Sequence, residues 1–180
     1  MQYDDDAPDV ALALEGDSSA FGRIVRRWEG RLVSLAHRLT RDRTLAEDLA
    51  QMAFLQAYRS LSRWRREGSF GAWLTRVALN VYRGELRRLR LDAVALDQAP
   101  EPEAENAAPA DEGPLDQPLR RALAGLPLIY REAITLYYFE EMDVARAATA
   151  LSVSQGTLKA RLSRGRALLR KTLESEEDAS

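Results

Sequence analysis

Apolar residues recur along this chain every three to four positions and show no useful run of strict alternation, so the pattern predicts helices and no sheet. Helical periodicity begins near 10–15 and continues through 18–39, 44–61 and 70–90, with Gly68 and Ser69 breaking the last two apart. In 70–90, Leu74, Val77, Ala78 and Val81 share one face, with Trp73 at its start. In 44–61, Leu45, Leu49, Met52, Ala53 and Gln56 alternate with Asp48, Gln51 and Leu55 around the helix. Thr44 followed by Glu47 predicts a capping box at its start.

The C-terminal third follows a different plan. Residues 127–139 predict a helix with Pro127 in its first turn, where a missing N–H costs nothing. Its apolar stripe is Ile129, Ala133, Leu136 and Tyr137. Asp143 can cap a short helix from Val144 to Leu151, and Ser152-Val153-Ser154 makes a turn. Ser154 or Thr157 can cap a third helix. At about 100° per residue, Leu158, Leu162 and Leu169 fall on one side of it; Ala160, Ser163, Arg164, Ala167 and Lys171 fall on the other. Short helix, tight turn and basic helix form the helix-turn-helix plan, whose second element enters the major groove.

Charge sharpens this picture. Between Thr157 and Lys171 stand six basic side chains and no acidic one. Such a run alone can be a solvated arginine-rich helix, but here its outward face is also small, and close approach with cationic groups suits a major groove. From Arg63 to Arg90 eight arginines face only Glu67 and Glu85, whereas Asp97 to Asp116 holds seven acids and no base. The net charge of −2 therefore conceals cationic modules and an acidic connector. Residues 93–118 hold five of the seven prolines and too little apolar surface to offset their ordering entropy. The expectation is an all-α chain of two small helical domains, 1–92 and 119–173. A flexible acidic linker, 93–118, joins them; the second domain is a helix-turn-helix, and an acidic tail, 174–180, follows.

Three groups of residues carry candidate chemistry. Arg76, Asn80, Arg83, Arg87 and Arg90 recur at spacings of four and three, along one helix face. Arginine suits phosphate and asparagine a base edge; the alternative is the solvated surface of an amphipathic helix. The loop before it carries Arg63, Trp64, Arg65 and Arg66, which can stack on or trap an unstacked base; alternatively Trp64 pins the loop to the core. Asp48, Gln51 and Leu55 lie on one side of their helix, as a docking face or, for the acids near its start, as partners of the helix dipole.

Other chemistries are excluded or disfavoured. With no cysteine there is no disulfide, thiolate metal site or cysteine nucleophile. One histidine, His37, set in the helical run Leu35-Ala36-His37-Arg38-Leu39, has a structural role as its default reading. No catalytic residue, metal or cofactor is expected. No apolar run reaches membrane-spanning length and the N-terminus is acidic, so a cytoplasmic protein without membrane insertion is expected.

Three segments together carry a family resemblance: Leu45-Ala46-Glu47-Asp48-Leu49-Ala50-Gln51-Met52-Ala53-Phe54-Leu55, Ser69-Phe70-Gly71-Ala72-Trp73-Leu74-Thr75-Arg76-Val77-Ala78-Leu79-Asn80, and Gly156-Thr157-Leu158-Lys159-Ala160-Arg161-Leu162-Ser163-Arg164-Gly165-Arg166. In order and spacing the chain resembles the extracytoplasmic-function (ECF) sigma factors, the small group of the bacterial sigma-70 family. The resemblance implies a factor that binds core RNA polymerase and directs promoter-specific initiation. It implies docking of Asp48, Leu49, Gln51 and Leu55 on the clamp coiled coil of the β′ subunit, and a contact with the β flap. It assigns the melted −10 strand to Arg63, Trp64, Arg65, Arg76, Asn80, Arg83 and Arg87. It assigns the −35 duplex to Thr157, Lys159, Ala160, Arg161, Ser163 and Arg164. An anti-sigma factor is the implied regulator. The chain departs from the family at Arg146-Ala147-Ala148, where Glu-Ile-Ala is usual, and at Ser152, where glycine is common in the turn. Two other readings stay open: a stand-alone helix-turn-helix regulator that binds duplex by itself, and a sigma mimic that titrates an anti-sigma factor.

Overall fold

The computed structural model describes residues 6–95 and 117–177, and among these there are eight α-helices and no strand. In the N-terminal half, α1 (Ala7–Leu14) and α2 (Ser18–Thr40) are separated by Gly16 at φ 101°, a left-handed turn that glycine adopts without strain. Asp17 caps α2 by accepting the Ser19 and Ala20 N–H groups. Next come α3 (Arg43–Ser60), a 3-10 turn at Leu61–Arg63, and α4 (Phe70–Ala95). The cap of α3 is Asp42, which accepts the Leu45 N–H at 2.9 Å; Thr44 lies inside the helix, so the expected capping box does not form. Glu47 instead meets Arg43 one turn earlier at 3.0 Å.

In the C-terminal half, α5 (Gln117–Gly125) precedes α6 (Leu128–Ile134), α7 (Val144–Leu151) and α8 (Gln155–Glu177). The expected helix 127–139 is divided: α6 ends at Ile134 and a π turn, Thr135–Phe139, follows, closed by the Glu140 N–H on the Thr135 carbonyl at 3.0 Å. Helix α5 stands where the sequence predicts only the start of a domain, near Leu119. The helix α4 runs past the expected boundary at 92 to Ala95, and 174–177 of the tail continue α8; residues 96–116 of the expected linker and 178–180 of the tail lie outside the described residues.

Each half buries its own apolar stripe. Ile24, Leu32, Leu35, Leu49, Leu74 and Leu79 fill the space between α2, α3 and α4. Tyr82 is buried among them and donates its hydroxyl to the Leu32 carbonyl at 3.0 Å; burial pushes its phenol well above the ordinary range. An acidic clasp holds α1 on α2: Asp9 takes Arg23 at 2.7 Å and Arg27 at 2.8 Å, and Asp6 takes Arg27 and, at 3.0 Å, the Trp28 indole N–H. In the other half, Leu136, Ala147, Ala150, Leu158 and Leu162 form the core. Gly165 lets α8 approach α6 so closely that a Cβ there would stand 3.2 Å from Ile134 Cγ1. The predicted stripe of the helix before the turn is corrected in register. Ile129 and Tyr137 are 46% and 36% exposed, whereas Ala133 and Leu136 face inward with Ile134 and Glu132.

The halves also pack on each other, α4 against α7 and α2 against α6. The reason is visible in the side chains. Alanines 147, 148 and 150 keep the buried face of α7 low, and two carboxylates, Glu132 and Glu140, sit buried close to arginines of the first half.

Candidate nucleic-acid interface

The helix-turn-helix is built by its caps. Asp143 accepts the Arg146 N–H at 2.8 Å and starts α7. The end of α7 is a Schellman turn: the Ser152 N–H bonds the Thr149 carbonyl at 3.1 Å and the Val153 N–H bonds the Ala148 carbonyl at 3.0 Å. Ser152 holds the left-handed conformation this requires, at φ 55° and ψ 43°. Ser154 then caps α8, accepting the Thr157 N–H at 3.1 Å, and its hydroxyl also meets that of Thr157 at 2.9 Å. Leu158, Leu162 and Gly165 bury one side of α8, and Leu169 is partly buried. Thr157, Lys159, Ala160, Ser163 and Arg164 are exposed in one run, with Arg161 half-buried at its flank. This is the low, cationic face the sequence predicts, free of acids through Lys171.

On α4 the predicted stripe is only partly open. Asn80 and Arg87 are exposed and Arg76 is half-buried. Arg83 is not open to solvent on the expected terms. Its guanidinium forks onto Glu132 of α6 at 2.5 and 2.7 Å, and that carboxylate is 2% exposed. Sequence reasoning had no signal for this pairing, which joins residues far apart in the chain. Arg90 lies in α4, with its side chain outside the described set.

In the loop, Arg63 and Arg65 are exposed, but Trp64 is half-buried. Its ring stands 5.5 Å from Phe70 and 5.7 Å from Trp73, and Phe70 and Trp73 are 5.5 Å apart. This triad pins the loop to the start of α4, which is the structural alternative for Trp64; the arginines on either side are thereby held outward. Arg66 sits at φ 58° in the same loop.

On α3 the predicted docking group separates. Asp48, Gln51 and Leu55 are exposed, Leu55 at 57%. Leu49 is fully buried in the first core, because its position on the helix faces α2 and α4. Met52 and Tyr58, not singled out as surface, are exposed and extend the apolar part of this face.

The chain thus combines a helix-turn-helix that has a small, cationic outer face with a second helical module whose α4 stripe is partly open, at Asn80 and Arg87. Residues 24–91 match the model of Sigma-70 region 2 and residues 116–169 that of Sigma-70, region 4. The chain is 32% identical to the ECF RNA polymerase sigma factor SigM of Mycobacterium tuberculosis, over 93% of this chain and 84% of that protein. It is 33% identical to RfaY of Xanthomonas campestris, a probable RNA polymerase sigma factor, over 89% of this chain, and spans 42% of that relative's length. Among solved structures, the sigma factor RpoE of Bartonella quintana, in complex with the anti-sigma factor NepR, superposes with a TM-score of 0.74. It is 27% identical and covers 86% of this chain and 96% of RpoE. The chain belongs to the ECF sigma factors of the sigma-70 family. It is an alternative sigma factor, which directs RNA polymerase to initiate at promoters. Among the described residues no helix is long and apolar enough to cross a membrane.

Proposed function

We propose that each of the three exposed faces carries one step of initiation. Asp48, Gln51 and Leu55, with Met52 and Tyr58 beside them, dock α3 on the β′ clamp coiled coil of core polymerase. Leu49 supports that helix from within. Thr157, Lys159, Ala160, Arg161, Ser163 and Arg164 read the −35 element in the major groove. Asn80, with Arg76 and Arg87 along α4 and Arg63 and Arg65 in the preceding loop, captures the non-template strand of the −10 element as it melts. Trp64 and Arg83 complete that site, Trp64 as the residue that sets the loop and Arg83 once Glu132 releases it. The factor works in the cytoplasm without a cofactor, contacts the β flap through the C-terminal module, and is held in check by an anti-sigma factor.

The observation that supports this best is the exposure of Asn80 on α4 within a row of arginines, in a module separate from the recognition helix. Capturing a base from an opened duplex costs a few kcal/mol of unstacking, so a preset polar group on a rigid helix is what the step needs. The test is run-off transcription with core polymerase and permanganate mapping of open complexes. Asn80→Ala is expected to abolish opening while polymerase binding persists. Loss of polymerase binding in that variant would refute the assignment. Tight, specific duplex binding by the chain without polymerase would favour a stand-alone regulator.

A further inference from the structure

We propose that Lys159 is an acylation site, at which an acyl phosphate neutralises the DNA-reading face of α8. This rests on the assignment of that face to the −35 duplex. The starting point is how the chain carries its positive charge. Of 26 lysine and arginine side chains only two are lysines, Lys159 and Lys171, and both stand on α8. A guanidinium keeps its proton throughout the physiological range and offers no free electron pair, whereas the lysine amine is the group that acylation takes. Side-chain amine chemistry is therefore confined to the recognition helix.

The surroundings favour Lys159 over Lys171. Lys159 is exposed, with Gly156 one turn before it and Ala160 beside it, so its approach is open. No acidic residue occurs between Asp143 and Glu174. Arg161 and Arg164 follow within about 8 Å along the helix axis, inside a Debye length at physiological salt. An acyl phosphate is doubly anionic, and this field concentrates it. Lys171 is also exposed, about 18 Å further along at the helical rise, but Glu174 follows it by one turn and repels the same donor.

In the reaction the neutral amine attacks the acyl carbonyl carbon. The amide C–N bond forms as the C–O bond to phosphate breaks. Inorganic phosphate leaves with the bonding pair and takes the proton the nitrogen gives up, and nothing is oxidised or reduced. A cation with three donors becomes a neutral amide with one. The product also adds bulk to a face that Gly156, Ala160 and Ser163 keep low. The docking face of α3 and the arginine stripe of α4 contain no lysine, so they are untouched. Acylated factor thus still reaches polymerase but loses its hold on the upstream element.

The test treats the full chain with lithium acetyl phosphate. Peptide mass spectrometry reads the sites, and holoenzyme binding is measured on a duplex promoter selected by the holoenzyme from a randomised pool. Acetylation is expected at Lys159 before Lys171, with promoter affinity falling at least five-fold and core polymerase binding unchanged. Lys171→Arg is expected to respond to treatment like the parent, Lys159→Arg to lose the response, and untreated Lys159→Gln to reproduce the loss of affinity. Lys159 left unmodified at doses that acetylate Lys171, or an equal response in Lys159→Arg, would overturn the proposal, as would full affinity after Lys159 is acetylated. Arg164→Gln separates the two layers of the argument. If only the acylation site is wrong, that variant still weakens promoter binding; if α8 does not read the −35 element, it leaves binding unchanged.

Discussion

Ser152 sits at the hinge of the helix-turn-helix in a conformation that suits glycine. Its φ of 55° and ψ of 43° lie in the left-handed region, which costs an L-residue about 1–2 kcal/mol. The Schellman turn requires that conformation, since both the Ser152 and Val153 N–H groups turn back onto α7 carbonyls. Ser152→Gly removes the steric cost but adds backbone entropy to the unfolded chain, a loss of about 0.5–1 kcal/mol. The net expectation is a gain of about 0.5–1 kcal/mol. Ser152→Val should move the other way by at least as much, because a β-branched side chain is a genuine outlier there. Urea unfolding followed by circular dichroism reads this directly. At a slope near 2 kcal/mol per molar, the midpoint should rise by about 0.3–0.5 M for glycine. A lower midpoint for glycine, or no difference between glycine and valine, would refute the account of this turn.

Other expectations follow from the same packing. Leu49→Ala should lower stability by about 2–5 kcal/mol in thermal melts, whereas Leu55→Ala should leave the melt unchanged and weaken binding to core polymerase in a pull-down. Gly165→Val forces atoms against Ile134 and Tyr130, whose nearest atoms would lie 3.2 and 3.4 Å from a Cβ, so overpacking should cost about 1–3 kcal/mol by urea unfolding. Arg23 and Arg27 hold the Asp9 carboxyl below its ordinary value of 3.8. Its depressed folded pKa means the α1 clasp contributes stability above pH 4 and loses it as pH falls below, so amide exchange in α1 should accelerate in acid before α2 does, and Asp9→Asn should erase the difference. The Tyr82 phenol is raised by burial, so its contribution to stability is present below about pH 10 and is lost as pH rises beyond that towards its folded value; absorbance at 295 nm should show Tyr82 ionising only as the protein unfolds in alkali.

Much of this protein is local in origin, and the local part was legible. Periodicity placed α2, α3, α4, α7 and α8, and Asp143 and Ser154 stand where short polar side chains can bond first-turn N–H groups. The face of α8 followed from the same arithmetic, because residues three and four apart must share a side whatever the helix packs on. What sequence could not decide is which of two neighbouring polar or apolar positions meets a distant partner. Leu49 and Leu55 are equally apolar, yet only contact with α2 and α4 buries the first and leaves the second outside. Arg83 belongs to a stripe of equivalent arginines, and only the approach of α6, joined through a connector whose length conceals its neighbours, gives it a carboxylate. The π turn likewise has no periodic signature; it is one extra residue of winding, held by the burial of Glu140 against α2. Secondary structure and the cationic faces of α4 and α8 are written in spacings of three and four. The packing of the two modules on each other depends on contacts between residues 49 to 109 positions apart, and those exist only once the chain has folded.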